Sequence, residues 1–482
     1  MNFKEAEQFL ISLINISLKE SSPGTKRSRL CLDRLNYFLG ILGNPQNKIP
    51  HYIHITGTSG KGSMTAFLHS ILETAGNKTG SMQSPHPTKI TERWKIGAQK
   101  MSNKEFVDII NKIKIALEKH IRIGRYSIIS YSEILTAIGL LYFAQNKVEW
   151  AVIEAGCGGR FDSTNVIPKT DIAIITNVGL DHEELIGPTK ADIAREKAGI
   201  IKTGCKVFTA EKDKKILKII EAEAKKQKTE LNKITDYPDL RQSRISRFAT
   251  IEDPRPRSGL DRGRDSTAVG TDYGLNGSTF KYKNEKYQIK APGRHQIENA
   301  ILAIEIAQSL NIKNSIIKKA LLNTKQIMRL ELFHNKIILD GAHNEDKINS
   351  TANFIKELVK KEKRGVHILV GFSDNKKWSK MVMTLSELKP KSISITRNTA
   401  NLFRKTANPA TIKKEFAKNN LQKQSEIFLQ PKDALAWSMK KIKKNDILLI
   451  TGSIFLSGEI RPMLSATWRG LVPQKAGLTK IK

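Results

Sequence analysis

The stretch "HYIHITGTSGKGS", His51 to Ser63, decides how the rest of the chain is read. Its first half is β-branched and aromatic, the composition of a strand. Its second half is a glycine-rich turn that hands over to a helix from about Lys61. The common P-loop pattern places a Gly five residues before the Gly-Lys pair and a Ser or Thr directly after the Lys. Here Ile55 holds the first place, and Gly62 separates Lys61 from Ser63. Glycines let a backbone approach an anion closely, and a helix amino end adds convergent N–H groups and a positive partial charge. Lys61 would then reach the outer phosphates. From these residues alone two readings stay open: a phosphate cradle of another pattern, or a bare flexible turn.

Outward from this loop, strands and helices alternate. "SYSEILTAIGLLYFAQNK" reads as a helix, "VEWAVIEAG" and "TDIAIITNVG" as strands, and "PTKADIAREKAGI" as a helix. The strands are nearly continuous apolar runs, as in a parallel sheet covered on both faces. A second alternating series begins near Lys336 with "KIILDG", "VHILVGFS", "SISITR" and "DILLITGS". The expected fold class is therefore α/β: an N-terminal P-loop-type parallel-sheet ATPase domain over 1–323, a linker over 324–332, and a smaller Rossmann-like domain over 333–482. The stretch 241–275 is rich in Arg, Pro, Gly and Ser and has neither apolar period; it reads as a mobile surface insertion.

With 482 residues the chain is too long for one core. No apolar run reaches membrane-spanning length, and the amino-terminal segment carries acids where a signal peptide would not. Cys31, Cys157 and Cys205 have no metal or redox spacing, which fits a reduced, cytoplasmic setting. The net charge of +34 would suit nucleic acid or anionic small substrates. Lys is spread along nearly the whole chain, however, and no nucleic-acid module is recognisable, so neither nucleic acid nor membrane is expected as a partner.

The loop does not stand alone. "LGNPQNKIPHYIHITGTSGKGS" resembles the start of the folylpolyglutamate synthase and dihydrofolate synthase family of the Mur ligase superfamily. The family loop reads Gly-Thr-Asn-Gly-Lys-Gly-Ser, so only Ser59 departs. "SPHPTKITERWKIGAQKMS", "SYSEILTAIGLLYFA", "EAGCGGRFDSTNV", "GLDHEELIGPTKADIAREKAGI", "PGRHQIENA", "DGAHN" and "ITGSIFLSGEIR" follow in the family's order. The resemblance implies an ATP-dependent amide ligase that adds L-glutamate to dihydropteroate or a folate through an acyl phosphate, working as a monomer. A cell-wall Mur-type amino-acid ligase and a nucleic-acid-binding ATPase are the competing readings.

It also implies roles for particular residues. Thr58, Ser59, Gly60, Lys61, Gly62 and Ser63 would bind ATP, joined by Asn299, Arg329, Asp340 and His343. Ser84 and Glu154 match the family's ligands for a first magnesium ion and His182 its ligand for a second. Lys197, carbamylated by carbon dioxide, would help hold that second ion, so Lys61, His182 and Lys197 form the catalytic set. Thr189 and Asp192 have capping-box spacing, which puts Ile193 and Lys197 on one helix face. Pteroate contacts fall on Leu30, on Ser130, Tyr131, Ser132 and Glu133, and on Phe161, Asp162 and Ser163. "SYSE" departs from the family's aromatic-rich form, and "FSDNKKW" departs from its pattern at Asn375 and Lys377.

Overall fold

The computed structural model describes residues 1–13, 26–86, 88–234, 244–245, 272–374, 378–400 and 405–465. Most of the expected insertion 241–275, together with Asn375 and Lys377, lies outside the described residues. The chain forms two compact units: Met1–Arg241 with Thr279–Lys290 and His295–Lys325, and Gln242–Ser278 with Ala291–Arg294 and Gln326–Lys482. Most of the segment expected as linker thus belongs to the second unit.

The first unit is built on eight strands: β1 (His51–Thr56), β2 (Thr79–Met82), β3 (Trp94–Ile96), β4 (Gln99–Lys100), β5 (Trp150–Glu154), β6 (Ile172–Ile175), β7 (Lys206–Thr209) and β8 (Leu231–Lys233). They lie in the order β4-β3-β2-β5-β1-β6-β7-β8. Strand β1 runs parallel to β5 and to β6, with Ile53 opposite Val152 on one side and Ile172 on the other. Every residue of β1 after His51 is buried, which is why the strand needs an unbroken apolar run. Among the described strands of this sheet only β3 is reversed, pairing antiparallel with β2 and, through a turn hidden inside the "WKIGAQK" motif, with the edge strand β4.

Helices α1 (Phe3–Ser12), α2 (Lys26–Ile41), α3 (Lys61–Thr74), α4 (Asn103–Ile123), α5 (Tyr131–Gln145), α6 (Glu183–Ile186), α7 (Lys190–Ala198), α8 (Lys214–Lys226), α9 (Arg294–Ser309) and α10 (Asn314–Asn323) accompany this sheet. One core cluster gathers Phe38, Tyr52, Trp94, Phe106 and Phe143; another joins β6 and β7 to α7 and α8 through Ile175, Ile193, Val207 and Ile220. From β1 the chain crosses to β2 on one side, while β6 leads on to β7 on the other. The carboxyl ends of β1 and β6 therefore flank a topological switch point, the crevice where α/β sheets bind ligands.

Two short strands, β9 (Arg244–Ile245) and β10 (Asp272–Gly274), pair in parallel. The strands β11 (Gly277–Tyr282) and β12 (Glu285–Ile289) are joined by Lys283 and Asn284, both at positive φ (46° and 64°), the backbone a tight hairpin turn requires. Sequence patterning had marked neither.

The second unit contains β13 (Glu331–Phe333), β14 (Ile337–Leu339), β15 (Gly365–Val370), β16 (Ser392–Ile395), β17 (Ser425–Ile427) and β18 (Asp446–Thr451), in the order β13-β14-β18-β15-β16-β17. All are parallel to their neighbours except β13. Helices α11 (Glu345–Glu362), α12 (Trp378–Ser386), α13 (Pro409–Lys418), α14 (Pro431–Lys441) and α15 (Ile454–Ser465) complete it. Two α/β units with mainly parallel sheets are what the alternating pattern predicts. Among the described residues no helix is long and apolar enough to cross a membrane.

Candidate active site

The turn between β1 and α3 has a shape that only its glycines permit. Gly57 has φ +149°, and a Cβ there would lie 1.7 Å from Thr176 Oγ1; Gly60 has φ +85°, and a Cβ there would lie 2.6 Å from Asn299 Oδ1. Asn299, on α9, is thus set directly against the loop. Thr58 is buried and faces Gly179: its hydroxyl donates to the Gly179 carbonyl (3.0 Å) and accepts from the Gly179 N–H (2.8 Å). The Ser59 N–H donates to Asn177 Oδ1 at 2.8 Å. Gly60 to Ser63 remain to present N–H groups at the amino end of the 14-residue α3. Lys61 Nζ donates to the Gly57 carbonyl at 2.7 Å, a bond an incoming phosphate can replace. The hydroxyls of Ser59 and Ser63 are buried without a protein partner. Buried hydroxyls normally find one, so both point to a ligand at this turn.

Beside the loop, the ends of β2 and β5 bring Ser84 and Glu154 together, the Ser84 N–H donating to Glu154 Oε2 at 3.4 Å. Lys61, Cys157, Asp181, His182 and Lys197 line one small cavity with Thr56 and Gly57. His182 takes a left-handed backbone (φ +54°) just before α6, and its N–H donates to Asp181 Oδ1 at 3.1 Å. The capping box at Thr189 and Asp192 is present, and it starts α7 so that Lys197 faces inward, 4 % exposed, on the face of Ile193. Burial, followed by the charge of Lys61, lowers the Lys197 amine from 10.5 to about 7. Burial, followed by Asp162, pushes the Cys157 thiol up to about 12, so it is no nucleophile at neutral pH.

The donors fit magnesium. No cluster of three His, Cys, Asp or Glu side chains able to hold a metal exists among the described residues. Magnesium does not need one, because it takes one or two carboxylates and completes its shell with phosphate oxygens and water. Glu154 and Ser84 supply hard oxygens at adjacent strand ends, and the Ser63 hydroxyl is free to add another.

The segments expected to meet pteroate also converge. Ser130 caps α5 in a reciprocal box with Glu133. Glu133 is not an exposed contact: Arg34 Nε and Nη2 grip its two oxygens at 3.0 and 2.7 Å, and the Ser130 N–H adds a third bond at 2.8 Å. Leu30, one turn before Arg34 on α2, is 43 % exposed. Ser163 Oγ lies 2.7 Å from Thr136 Oγ1 and donates to the Ser132 carbonyl, so the "SYSE" helix and the "GGRFDS" turn are stitched together. Asp162 shapes that turn by accepting from the N–H groups of Cys157 (2.8 Å) and Thr164 (3.0 Å). Tyr131 and Phe161 are partly exposed on the same two segments.

In the second unit Asp340 directly follows β14. Burial raises its carboxyl above the ordinary value, although the Leu330 N–H, the Ala342 N–H and the Thr351 hydroxyl all donate to it. Arg329 lies between Met328 and Leu330, both at φ +52°. The His343 ring sits 2.7 Å from the Gly341 carbonyl.

Sequence reasoning passed over Thr176, Asn177, Asp181 and Arg34. Asp181 stood within the quoted "GLDH" motif. The other three act through backbone contacts or buried pairing, which carry no local signal. Arg93, inside "ITERW", was also passed over; its Nε donates to His86 Nδ1 at 3.1 Å.

The chain matches the Mur ligase middle domain over residues 55–307 and the Mur ligase glutamate ligase domain over residues 328–454. It belongs to the Mur ligase family. Its relatives narrow the branch. It is 29 % identical over 447 residues to the dihydrofolate synthase/folylpolyglutamate synthase of Bacillus subtilis (strain 168), covering 90 % of this chain and 94 % of the relative. It is 28 % identical over 446 residues to the folylpolyglutamate synthase of Lacticaseibacillus casei, covering 89 % and 94 %. The fold agrees with that of Mycobacterium tuberculosis folylpolyglutamate synthase complexed with ADP, with a TM-score of 0.78 at 21 % identity over 96 % of this chain and 98 % of that one. The resemblance carried by the motifs therefore holds along nearly the whole length.

Proposed function

We propose that this chain is an ATP-dependent ligase that joins the amine of L-glutamate to the carboxylate of dihydropteroate or of a folate polyglutamate. The observation that carries the reading is the cavity shared by Lys61, His182 and Lys197 beside a glycine turn with two partnerless hydroxyls. A carboxylate is a poor electrophile, so ATP first converts it to an acyl phosphate, which the glutamate amine attacks. The protein's task is to hold three anionic partners together and neutralise them. The N–H groups of Gly60 to Ser63 take phosphate oxygens, and Lys61 leaves the Gly57 carbonyl for the outer phosphates. Asn299 holds the loop's far side; Arg329, Asp340 and His343 would also bind ATP.

Ser84, Glu154 and Ser63 would hold one magnesium ion, and His182 with a carbamylated Lys197 a second. When bound, the ions supply charge neutralisation along the phosphates. An amine lowered to about 7 is unprotonated in a substantial fraction of molecules at neutral pH. Its lone pair can therefore attack carbon dioxide, forming an N–C bond and releasing a proton. Leu30, Ser130, Tyr131, Ser132, Phe161, Asp162 and Ser163 would border the pteroate, with Glu133 bracing them from below. No disulfide joins the three cysteines, which suits a cytoplasmic enzyme; it would work as a monomer.

The test supplies ATP, magnesium and glutamate and compares dihydropteroate with tetrahydrofolate by phosphate release. Glutamate-dependent release with one or both is expected. Release with neither substrate overturns the proposal.

A further inference from the structure

The phosphate turn is shaped from outside itself. Thr176 and Asn177, the first residues beyond β6, make five hydrogen bonds to the β1 strand end and turn, one of them a 3.3 Å contact from the Thr176 hydroxyl to the Thr56 carbonyl. The Thr58 N–H donates to the Asn177 carbonyl at 3.0 Å, and the Ser59 N–H to Asn177 Oδ1 at 2.8 Å. From the other side, the Thr176 N–H donates to the Thr56 carbonyl at 2.9 Å, and Thr176 Oγ1 donates to the Ser59 carbonyl at 2.6 Å. The contact is close enough that only glycine fits at position 57.

Two consequences follow. The N–H groups of Thr58 and Ser59 are already committed, so the ligand sees those of Gly60 to Ser63, at the start of α3. The clamp also grips the backbone of residue 59 and not its side chain. Ser can therefore stand where the family's loop carries Asn without loosening the turn.

We propose that Asn177 is the positioning residue that sets the phosphate turn in its binding shape, and thereby the enzyme's affinity for the nucleotide's terminal phosphates. This rests on the ligase reading above only in taking the ligand to be ATP. Losing the Asn177 amide removes the bond that holds the Ser59 N–H and loosens the turn there, while the bonds of Thr58 and of the Ser59 carbonyl remain. The lost bond no longer helps to hold the binding shape, and the loosened turn must be ordered again when the ligand binds. Affinity should accordingly fall about tenfold or more.

ADP titration calorimetry decides the matter, because it requires no turnover. Wild type should bind ADP, and Asn177→Ala should bind it about tenfold more weakly. In the assay with ATP, KM for ATP should rise by a similar factor. Turnover at saturating ATP, and KM for glutamate and for the folate substrate, should stay within about threefold. The Ser59 amide should lose protection from hydrogen exchange. Thr176→Val, which keeps the shape and deletes the hydroxyl bond to the Ser59 carbonyl, should change the same parameters in the same direction. It decides by the same criterion if Asn177→Ala does not fold. Unchanged ADP affinity in the variants overturns the proposal. So does a uniform rise in every KM with a lowered melting temperature, which would mark a merely structural residue. Failure of the wild type to bind ADP overturns the nucleotide reading itself.

Discussion

Arg34→Met tests how the proposed pteroate side of the first unit is held together. Arg34 and Glu133 are 2 % and 3 % exposed in their side chains and form a two-point ion pair at 3.0 and 2.7 Å. Arg34 Nη1 also donates to Ser127 Oγ at 2.6 Å. Methionine matches the length of the arginine stem but strands the Glu133 carboxylate, leaving it the Ser130 N–H. Breaking a buried pair by removing one partner costs about 3–5 kcal/mol, because an uncompensated charge stays buried. Replacing both partners with apolar residues is far cheaper. Arg34→Met with Glu133→Leu should cost little beyond the lost capping bond on α5, about 1 kcal/mol. The double variant is therefore predicted to be more stable than the single one.

Hydrogen exchange of the α5 amides reads the local opening free energy without assuming that both units unfold together. Leu30 and Ser130 ride on the two helices that this pair joins, so KM for dihydropteroate should rise in Arg34→Met while KM for ATP stays put. A loss below about 1 kcal/mol in the single variant, or a double variant no more stable than it, would refute the reasoning.

Lys197→Met should abolish ligase activity and change how stability depends on pH. The folded amine titrates at about 7 against an ordinary 10.5. Between those values the unfolded chain binds the extra proton, so wild-type stability rises with pH. Below about 7 the full cost of the buried charge is present. Methionine should thus stabilise the protein more at about pH 6 than at about pH 10, which melting curves at the two pH values will show. Gly60→Ala should weaken ADP binding, since its Cβ would lie 2.6 Å from Asn299 Oδ1; adding Asn299→Ala should not recover wild-type affinity, because the left-handed backbone at position 60 remains strained. Lys61→Ala should lose phosphate release while keeping the wild-type melting temperature, as its ammonium makes one bond, to a loop carbonyl; full activity in that variant would exclude its phosphate role.

Much of the architecture was legible because parallel strands buried on both faces require apolar runs, and "HYIHIT", "AVIE" and "IAII" are such runs. The start of α7 could be read from Thr189 and Asp192 because a capping box is a local chemical pattern. The edge strands β3 and β4, of three and two residues, are too short to show any period. Glu133 looked like a ligand-facing acid because the partner that buries it, Arg34, is 99 residues away in the chain. Asn177 left no signal for the same reason: a side chain that binds another segment's backbone has no complementary residue type to betray it.

The first unit is not a continuous stretch of chain. It takes in residues up to Arg241, then Thr279–Lys290 and His295–Lys325. Helix α3, which begins at the phosphate turn, has Ser70 bonded to the Ala320 carbonyl, and Gly60 rests against Asn299. During synthesis the glycine turn therefore emerges about 240 residues before Asn299 arrives to close its far side. Until then the nascent sheet lacks α9 and α10, and the proposed nucleotide site is incomplete. Ligand cannot stabilise this unit early in translation. The growing chain must hold its apolar strands by other means until about two thirds of it has been made.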